Sequence, residues 1–290
     1  MKIENLTITG GTHGNELTGV YLVKQWQNDP TPIKRETFKT DVVLMNEEAI
    51  KNCTRYIDRD LNRCFDTFTL TKSPANYEER LAQKLNSTLG PKSSESPNSD
   101  FIVDLHSTTS NMGLSIVVSN ESDLTWMAIS YLKQKDPRVR VYKWKGDEED
   151  AFVDSIAKHG FAIEVGAIPQ GVLRSDLFFD TQKLVYHLLD FIDHYNKGFS
   201  MALESVEYFE HEILIDYPRD SQGNIVAMVH EDRQDRDFDL IVKGEPIFRK
   251  FDGEEIYYEG ESLHTLFINE AAYYEKGFAM TLARKALRVL

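Results

Sequence analysis

In the segment GGTHGNELTGVYLVKQW a histidine and a glutamate, His13 and Glu16, stand three residues apart. A short β-rich run ends at Gly10-Gly11 and a helical pattern begins near Glu16, so both side chains fall at the carboxyl end of a strand. Open α/β sheets place their ligands there, and from one turn an imidazole and a carboxylate can converge on one metal ion. Alone, the spacing is more often that of a surface or capping pair. A second segment, FIVDLHSTTSN, adds weight: an apolar strand ends in Asp104-Leu105-His106 and delivers another imidazole to the same edge. His13, Glu16 and His106 together would hold a tetrahedral zinc with its fourth position open to water, as in catalytic rather than structural zinc sites. Alternation along the strand turns Asp104 to the His106 side, as an outer carboxylate or a structural group.

Two further features could carry chemistry. In FAIEVG, Glu164 interrupts an apolar strand. It is either a carboxylate paired with an arginine or backbone amides, or a general base whose desolvation raises its pKa toward working pH. In CTRYIDRDLNRCF, residues Arg55, Asp58, Arg59, Asp60, Asn62 and Arg63 are packed into a loop-like stretch. Such a run is commonly a solvated face; the Asn62-Arg63 pair also suits a clamp for a carboxylate, because a planar guanidinium donates two parallel hydrogen bonds.

The elements that must position these groups follow from the pattern. At 290 residues the chain is long enough for one large domain and a smaller partner. Strands are expected at Leu6 to Ile8, Val42 to Leu44, Phe101 to Asp104, Ser115 to Val118, Val139 to Tyr142 and Phe161 to Val165. They alternate with helices such as Asn76 to Leu89, stopped by Gly90-Pro91, and Asp123 to Lys133. A long helix starts near Ser175. KSSESPNSD reads as a surface loop. After residue 198 the pattern shifts to short alternating runs with turn signals at Ser221 to Asn224 and Asp252-Gly253, so domains are expected over residues 1–198 and 199–290.

Composition excludes several classes. The 33 basic and 47 acidic residues leave a net charge of −14, which repels nucleic acid and anionic membranes alike. Cys53 and Cys64 are too few for a disulfide framework and read as reduced thiols. With no signal-peptide stretch in MKIENLTITGG and no apolar run of about eighteen residues, a soluble cytoplasmic protein is expected. His187, His194, His211, His230 and His264 have no zinc-site spacing and read as surface or packing residues, as does Tyr257-Tyr258.

Taken in order, GGTHGNELTGV, CTRYIDRDLNR, DLHSTTSNMG, SIAKHGFAIEVG, PQGVLR and NEAAYYEK resemble the aspartoacylase family over nearly the whole chain. The resemblance implies a zinc-carboxypeptidase-like, mixed-sheet α/β domain, followed by a smaller β-rich C-terminal domain that narrows access to the site. It implies a zinc-dependent amidohydrolase with one Zn2+ per subunit, held by His13, Glu16 and His106. Glu164 would be the base, Arg55 would polarise the amide carbonyl, and Asn62, Arg63 and Tyr273 would bind substrate with them. The implied partner is a small N-acyl amino acid, with N-acetyl-L-aspartate as the leading expectation. Neutral or aromatic N-acetyl amino acids are the alternative, and a non-catalytic acyl-amino-acid binder is the reading from another class. A homodimer is expected only because it is the commonest assembly. One departure stands out: family members using acetylaspartate carry an Arg just before SIAK, where this chain has Asp154. A substrate-facing tyrosine of the family falls in GDEED, near Asp150. Lys143 or Lys145 would have to supply a substitute cation.

Overall fold

Apolar strands covered on both faces build the centre of the molecule, and in the computed structural model, which describes residues 2–145, 150–274 and 276–290, each expected strand overlaps a strand. The chain begins β1 (Asn5–Gly10), α1 (Leu17–Asn28), β2 (Lys39–Leu44), α2 (Glu47–Asn52), α3 (Thr67–Thr71) and α4 (Tyr77–Leu89). It continues through β3 (Phe101–Ser107), β4 (Gly113–Val118), α5 (Asp123–Lys135), β5 (Arg140–Lys143), β6 (His159–Gly166) and α6 (Ser175–Asn196). The remainder is β-rich: β7 (Val206–Asp216), β8 (Ala227–Val229), β9 (Leu240–Ile241), β10 (Pro246–Lys250), β11 (Glu255–Tyr257) and β12 (Leu263–Leu266), then α7 (Ala271–Tyr274) and β13 (Phe278–Arg288).

Local chemistry sets the helix limits. Asn76 Oδ1 accepts from the Glu79 amide at 2.9 Å and caps α4, which stops before Gly90-Pro91. Ser122 Oγ does the same for α5, accepting from the Thr125 amide at 3.1 Å. Helices α1, α5 and α6 bury Trp26, Trp126, Leu188, Leu189 and Phe191 against the sheet. Each such side chain contributes about 1.5–3 kcal/mol on burial. A second cluster, built on Phe65, Ala82, Leu85 and Ile156, covers the other face.

The strands form one mixed sheet in the order β2-β1-β3-β6-β4-β5-β7-β13-β12-β9. Strands β2, β1, β3 and β6 run parallel, and β4 enters antiparallel to β6. The expected division after residue 198 falls in the connection between α6 and β7, and the sheet runs on across it. Tyr142 of β5 pairs with Phe209 of β7, and β13 returns antiparallel along β7. A separate sheet, β11-β10-β8, packs beyond it. No helix among the described residues is long and apolar enough to cross a membrane.

Besides the β5–β7 ladder, side chains fasten the β-rich part to the rest. An apolar seam joins Met112 and Tyr142 to Phe209, Leu266 and Phe267. Beside it the buried carboxylate of Glu270 reaches the loop that follows β3. Its Oε2 accepts from the Thr109 amide at 2.8 Å, the Ser110 amide at 3.1 Å and the hydroxyls of Thr108, Thr109 and Ser110. Removing that acceptor strands several buried donors at once, each costing about 1–3 kcal/mol. Glu270→Ala is therefore expected to lower stability by about 3 kcal/mol or more in chemical denaturation, and to open the 230–290 region to limited proteolysis before residues 1–198 are cut.

Candidate active site

The loop between β1 and α1 carries His13 and Glu16 to the carboxyl edge of the sheet, next to His106 at the end of β3. That loop has no slack. A Cβ on Gly14 would lie 2.0 Å from the Ala49 carbonyl carbon and 2.3 Å from the Ile50 nitrogen, both backbone atoms. Glycine is required there by close approach, and it pins the residue beside His13 against α2.

Glu16 is the hub. Its Oε1 lies 2.6 Å from His13 Nδ1, its Oε2 lies 2.9 Å from His106 Nδ1, and Oε2 also accepts from the Ser107 amide at 3.0 Å. Behind each imidazole stands another carboxylate: Asp60 Oδ1 is 2.9 Å from His13 Nε2, and Asp104 Oδ2 is 2.6 Å from His106 Nε2. Asp104 is itself held by Thr9 Oγ1 at 2.7 Å and Thr12 Oγ1 at 2.9 Å. With each Nε2–H donating to its carboxylate, the Nδ1 lone pairs of both rings are turned toward Glu16. The ligand atoms of His13, Glu16 and His106 lie within 4.8 Å of one another, and all three residues are buried.

This donor set fits a divalent metal. Two neutral imidazole nitrogens and a carboxylate converge, and the outer carboxylates fix the tautomers. Charge points the same way. Burial works against the charge of Glu16, Asp60 and Asp104, yet all three are held below the usual carboxylate range, chiefly by His13 and His106. Burial opposes protonation of His106, yet Asp104 and Glu16 push its pKa well up, so this is a place that favours positive charge.

Arg55 closes the cluster, donating to Glu16 Oε1 at 3.0 Å and Asp60 Oδ2 at 3.2 Å. Burial works against its charge, and Asp60 and Glu16 more than offset it. Asn62 and Arg63 follow on a short 3-10 turn, where Asp60 Oδ1 accepts from the Asn62 amide at 2.9 Å. Asn62 Oδ1 accepts from the Val153 amide at 2.9 Å, and the Arg63 guanidinium lies 4.7 Å from the centre of the Phe152 ring.

His13, Glu16, Arg55, Asn62, Arg63 and His106 line one cleft, together with Glu164, Glu270 and Tyr273. Every site residue expected from the sequence is thus brought to one place. Glu164 accepts no hydrogen bond among the described residues. Burial pushes its carboxyl up to about 8, Glu16 and Glu270 adding to the effect while His106 and Arg55 oppose it. Burial likewise pushes the Tyr273 hydroxyl up to about 12.

The charge run around Asp58 divides between its two readings. Arg55, Asn62 and Arg63 face the cleft, whereas Asp58 accepts from the Tyr77 amide at 2.9 Å and Arg59 pairs with Glu79 at 2.9 Å. Asp60 and Glu270 were not singled out by sequence reasoning. The alternating acids and bases of DRDLNR were the only sign of Asp60, and nothing local marks Glu270.

One expectation needs correction. Lys143 cannot serve as the substitute cation: it pairs with Glu121 at 2.7 Å and Glu210 at 3.1 Å, and neither it nor the exposed Lys145 lines the cleft. In GDEED, all but Asp150 lies outside the described residues. Asp154 does line the cleft, 2% exposed, with Ser119 Oγ donating to it at 2.9 Å. Trp144, Phe152, Tyr142 and Phe267 supply the rest of that end.

A mixed α/β sheet core followed by a β-rich C-terminal domain is the architecture the comparisons also find. Residues 2–192 match the succinylglutamate desuccinylase/aspartoacylase catalytic domain, and residues 204–285 match the AstE/AspA barrel-sandwich hybrid domain. The chain belongs to the succinylglutamate desuccinylase/aspartoacylase family. It is 46% identical to a probable aspartoacylase of Trichodesmium erythraeum, with 98% of each chain covered. It is 40% identical to the human N-acyl-aromatic-L-amino acid amidohydrolase (carboxylate-forming), over 98% of this chain and 91% of that one. The crystal structure of murine aminoacylase 3 superposes with a TM-score of 0.95 at 38% identity, covering 99% of this chain and 97% of that one.

The Asp154 carboxyl is pushed up to about 8, first by burial and then by the neighbouring Asp150. In the unfolded chain the same group titrates near ~3.9. Between these values the native state holds a proton that the unfolded state releases, so this contribution is full at low pH and is lost as pH rises through about 8. Thermal denaturation from pH 5 to pH 9 is expected to show the midpoint of Asp154→Asn gaining on the wild type as pH rises. A constant offset between the two curves would contradict the burial of a neutral carboxyl.

Proposed function

We propose that the protein is a zinc-dependent amidohydrolase that removes the acyl group from an N-acyl-L-amino acid with an aromatic side chain, releasing the amino acid and a carboxylate. His13, Glu16 and His106 are the residues that hold the zinc. When bound, zinc supplies Lewis acidity, which polarises an acyl carbonyl and acidifies water.

The chain's own groups do the rest. Glu164, unpaired and with a raised pKa, takes the proton from the attacking water and returns it to the departing nitrogen, so that the C–N bond breaks to a neutral amine. Arg55, fixed by Glu16 and Asp60, donates to the acyl oxygen as it gains charge. Asn62 and Arg63 hold the substrate α-carboxylate, for which a guanidinium gives paired hydrogen bonds. Tyr273 adds a hydroxyl from the C-terminal domain and shields the reaction from bulk water.

The observation that carries the substrate reading is the composition of the far end of the cleft. Among the described residues, Arg55 and Arg63 are the only guanidinium groups lining it, and both are taken up above. What remains for the side chain is Trp144, Phe152, Tyr142 and the buried acid Asp154. A second carboxylate there, as in N-acetyl-L-aspartate, would be desolvated among rings and a buried acid with no cation to compensate. An aromatic side chain meets rings.

Hydrolysis of N-acetyl derivatives of Asp, Ala, Phe, Tyr and Trp by zinc-loaded protein, beside a chelated control, checks the reading: aromatic substrates should lead and chelation should abolish all turnover. Dominant cleavage of the aspartate derivative would refute the aromatic preference. Glu164→Gln should retain one zinc by metal analysis while kcat falls about 10²–10⁴-fold. His106→Ala should lose the metal, and Asp104→Asn should keep it with affinity lowered about 10–100-fold.

A further inference from the structure

The floor of the cleft is drawn by sheet register. Along β6 the residues alternate, so Phe161, Ile163 and Val165 go to the core and Gly160, Ala162 and Glu164 share the opposite face. On one side His106 sits beside Glu164 and Asp104 beside Ala162; on the other, Ser115 pairs with Glu164 and Val117 with Ala162. Because β4 runs antiparallel, its next residue on this face, Ser119, lies level with Gly160. The small Ala162 leaves a slot over the sheet that starts at Glu164 and runs toward Ser119, a length of roughly 13 Å for four residues of strand, while Gly160 is covered.

Asp154 closes the end of that slot. A Cβ on Gly160 would lie 3.0 Å from the Asp154 Cβ, so the acid stands directly over this glycine, and its Oδ2 accepts from Ser119 Oγ. Trp144 and Phe152, whose ring centres are 6.3 Å apart, form the walls with Tyr142, which pairs with Val117 of the floor. No lysine or arginine pairs with Asp154 among the described residues. A buried carboxyl without a cation is a costly thing to leave facing an apolar slot, and a ligand donor offsets that cost.

We propose that Asp154 is a specificity-determining residue: it accepts a hydrogen bond from an O–H or N–H at the tip of an aromatic side chain, so that donor-tipped substrates such as N-acyl-tyrosine are preferred over N-acyl-phenylalanine. The inference rests on the reading of this cleft as an N-acyl aromatic amino acid site. The two substrates differ by one hydroxyl, and a site built to accept from it discriminates through the unpaired group left by the analogue lacking it. Asparagine at 154 keeps an acceptor; leucine removes it and extends the apolar walls.

Steady-state hydrolysis of N-acetyl-L-tyrosine and N-acetyl-L-phenylalanine by the zinc-loaded wild type, Asp154→Asn and Asp154→Leu tests this. The wild type should favour tyrosine by about tenfold or more in kcat/KM, with the difference in KM rather than kcat. Asp154→Asn should keep the preference and Asp154→Leu should erase or reverse it. Equal or better use of phenylalanine by the wild type overturns the inference and leaves the deacylase reading standing. Cleavage of neither, beside cleavage of another N-acetyl amino acid, overturns the aromatic reading and this inference with it. Should Asp154→Leu not fold, the wild type and Asp154→Asn still decide.

Discussion

Buried negative charge that must be balanced is the constraint on which the rest of this structure depends. Glu16, Asp60 and Asp104 are packed at the edge of one sheet, against the Arg55 guanidinium and two imidazoles, with the Lys276 ammonium 4.0 Å from Asp60. Isolated carboxylates at such depth would be prohibitive, and each therefore has a ring nitrogen or an arginine within hydrogen-bond reach. The demand dictates geometry. It explains why Thr9 and Thr12 spend their hydroxyls on Asp104, why Gly14 must sit against α2, and why Arg55 is tied down at both ends. A divalent cation satisfies the same demand for positive charge, so the electrostatics that shape the fold here also define what the site can hold.

Much of this was legible from residue order because the informative signals are local. Val-, Ile- and Phe-rich runs name the central strands, and alternation places Asp104 on the His106 side, where it lies 2.6 Å from the ring. Asn76 and Gly90-Pro91 bracket α4 as capping chemistry requires. The residues that escaped are those whose meaning depends on distant partners. Asp60 belongs to a charge run that resembles a solvated face, and only folding sets it behind His13, forty-seven positions earlier. Glu270 reaches a loop some 160 residues away. Trp144 and Phe152 flank residues with no periodic pattern, and their common wall exists only because β5 and the segment before β6 meet over the sheet.

The boundary between the two parts of the chain shows the same division between local and long-range information. Composition shifts near residue 198, and the connection between α6 and β7 falls there, yet the backbone ladder does not stop: β5 bonds to β7 and the sheet continues to β9. The two parts therefore meet through backbone hydrogen bonds as well as through the apolar seam at Met112, Phe209 and Phe267. Such a joint is stiffer than a linker between independent bodies. It holds Tyr273 and Glu270 at a fixed height above His106 and Glu164.

That arrangement has a bearing on when the protein becomes competent. Glu270 and Tyr273 come from the last tenth of the chain, and β13, which ends at Arg288, lies between β7 and β12 in the sheet. A ribosome delivers these residues long after β1, β3 and β6, and pairings of such long sequence separation form late and slowly. The nascent chain can acquire its central parallel strands, and even gather both imidazoles, while the cleft still lacks a roof. Completion of the site thus waits on residues 270–288, and a chain lacking them leaves an open sheet edge at β7 in place of an enclosed cleft.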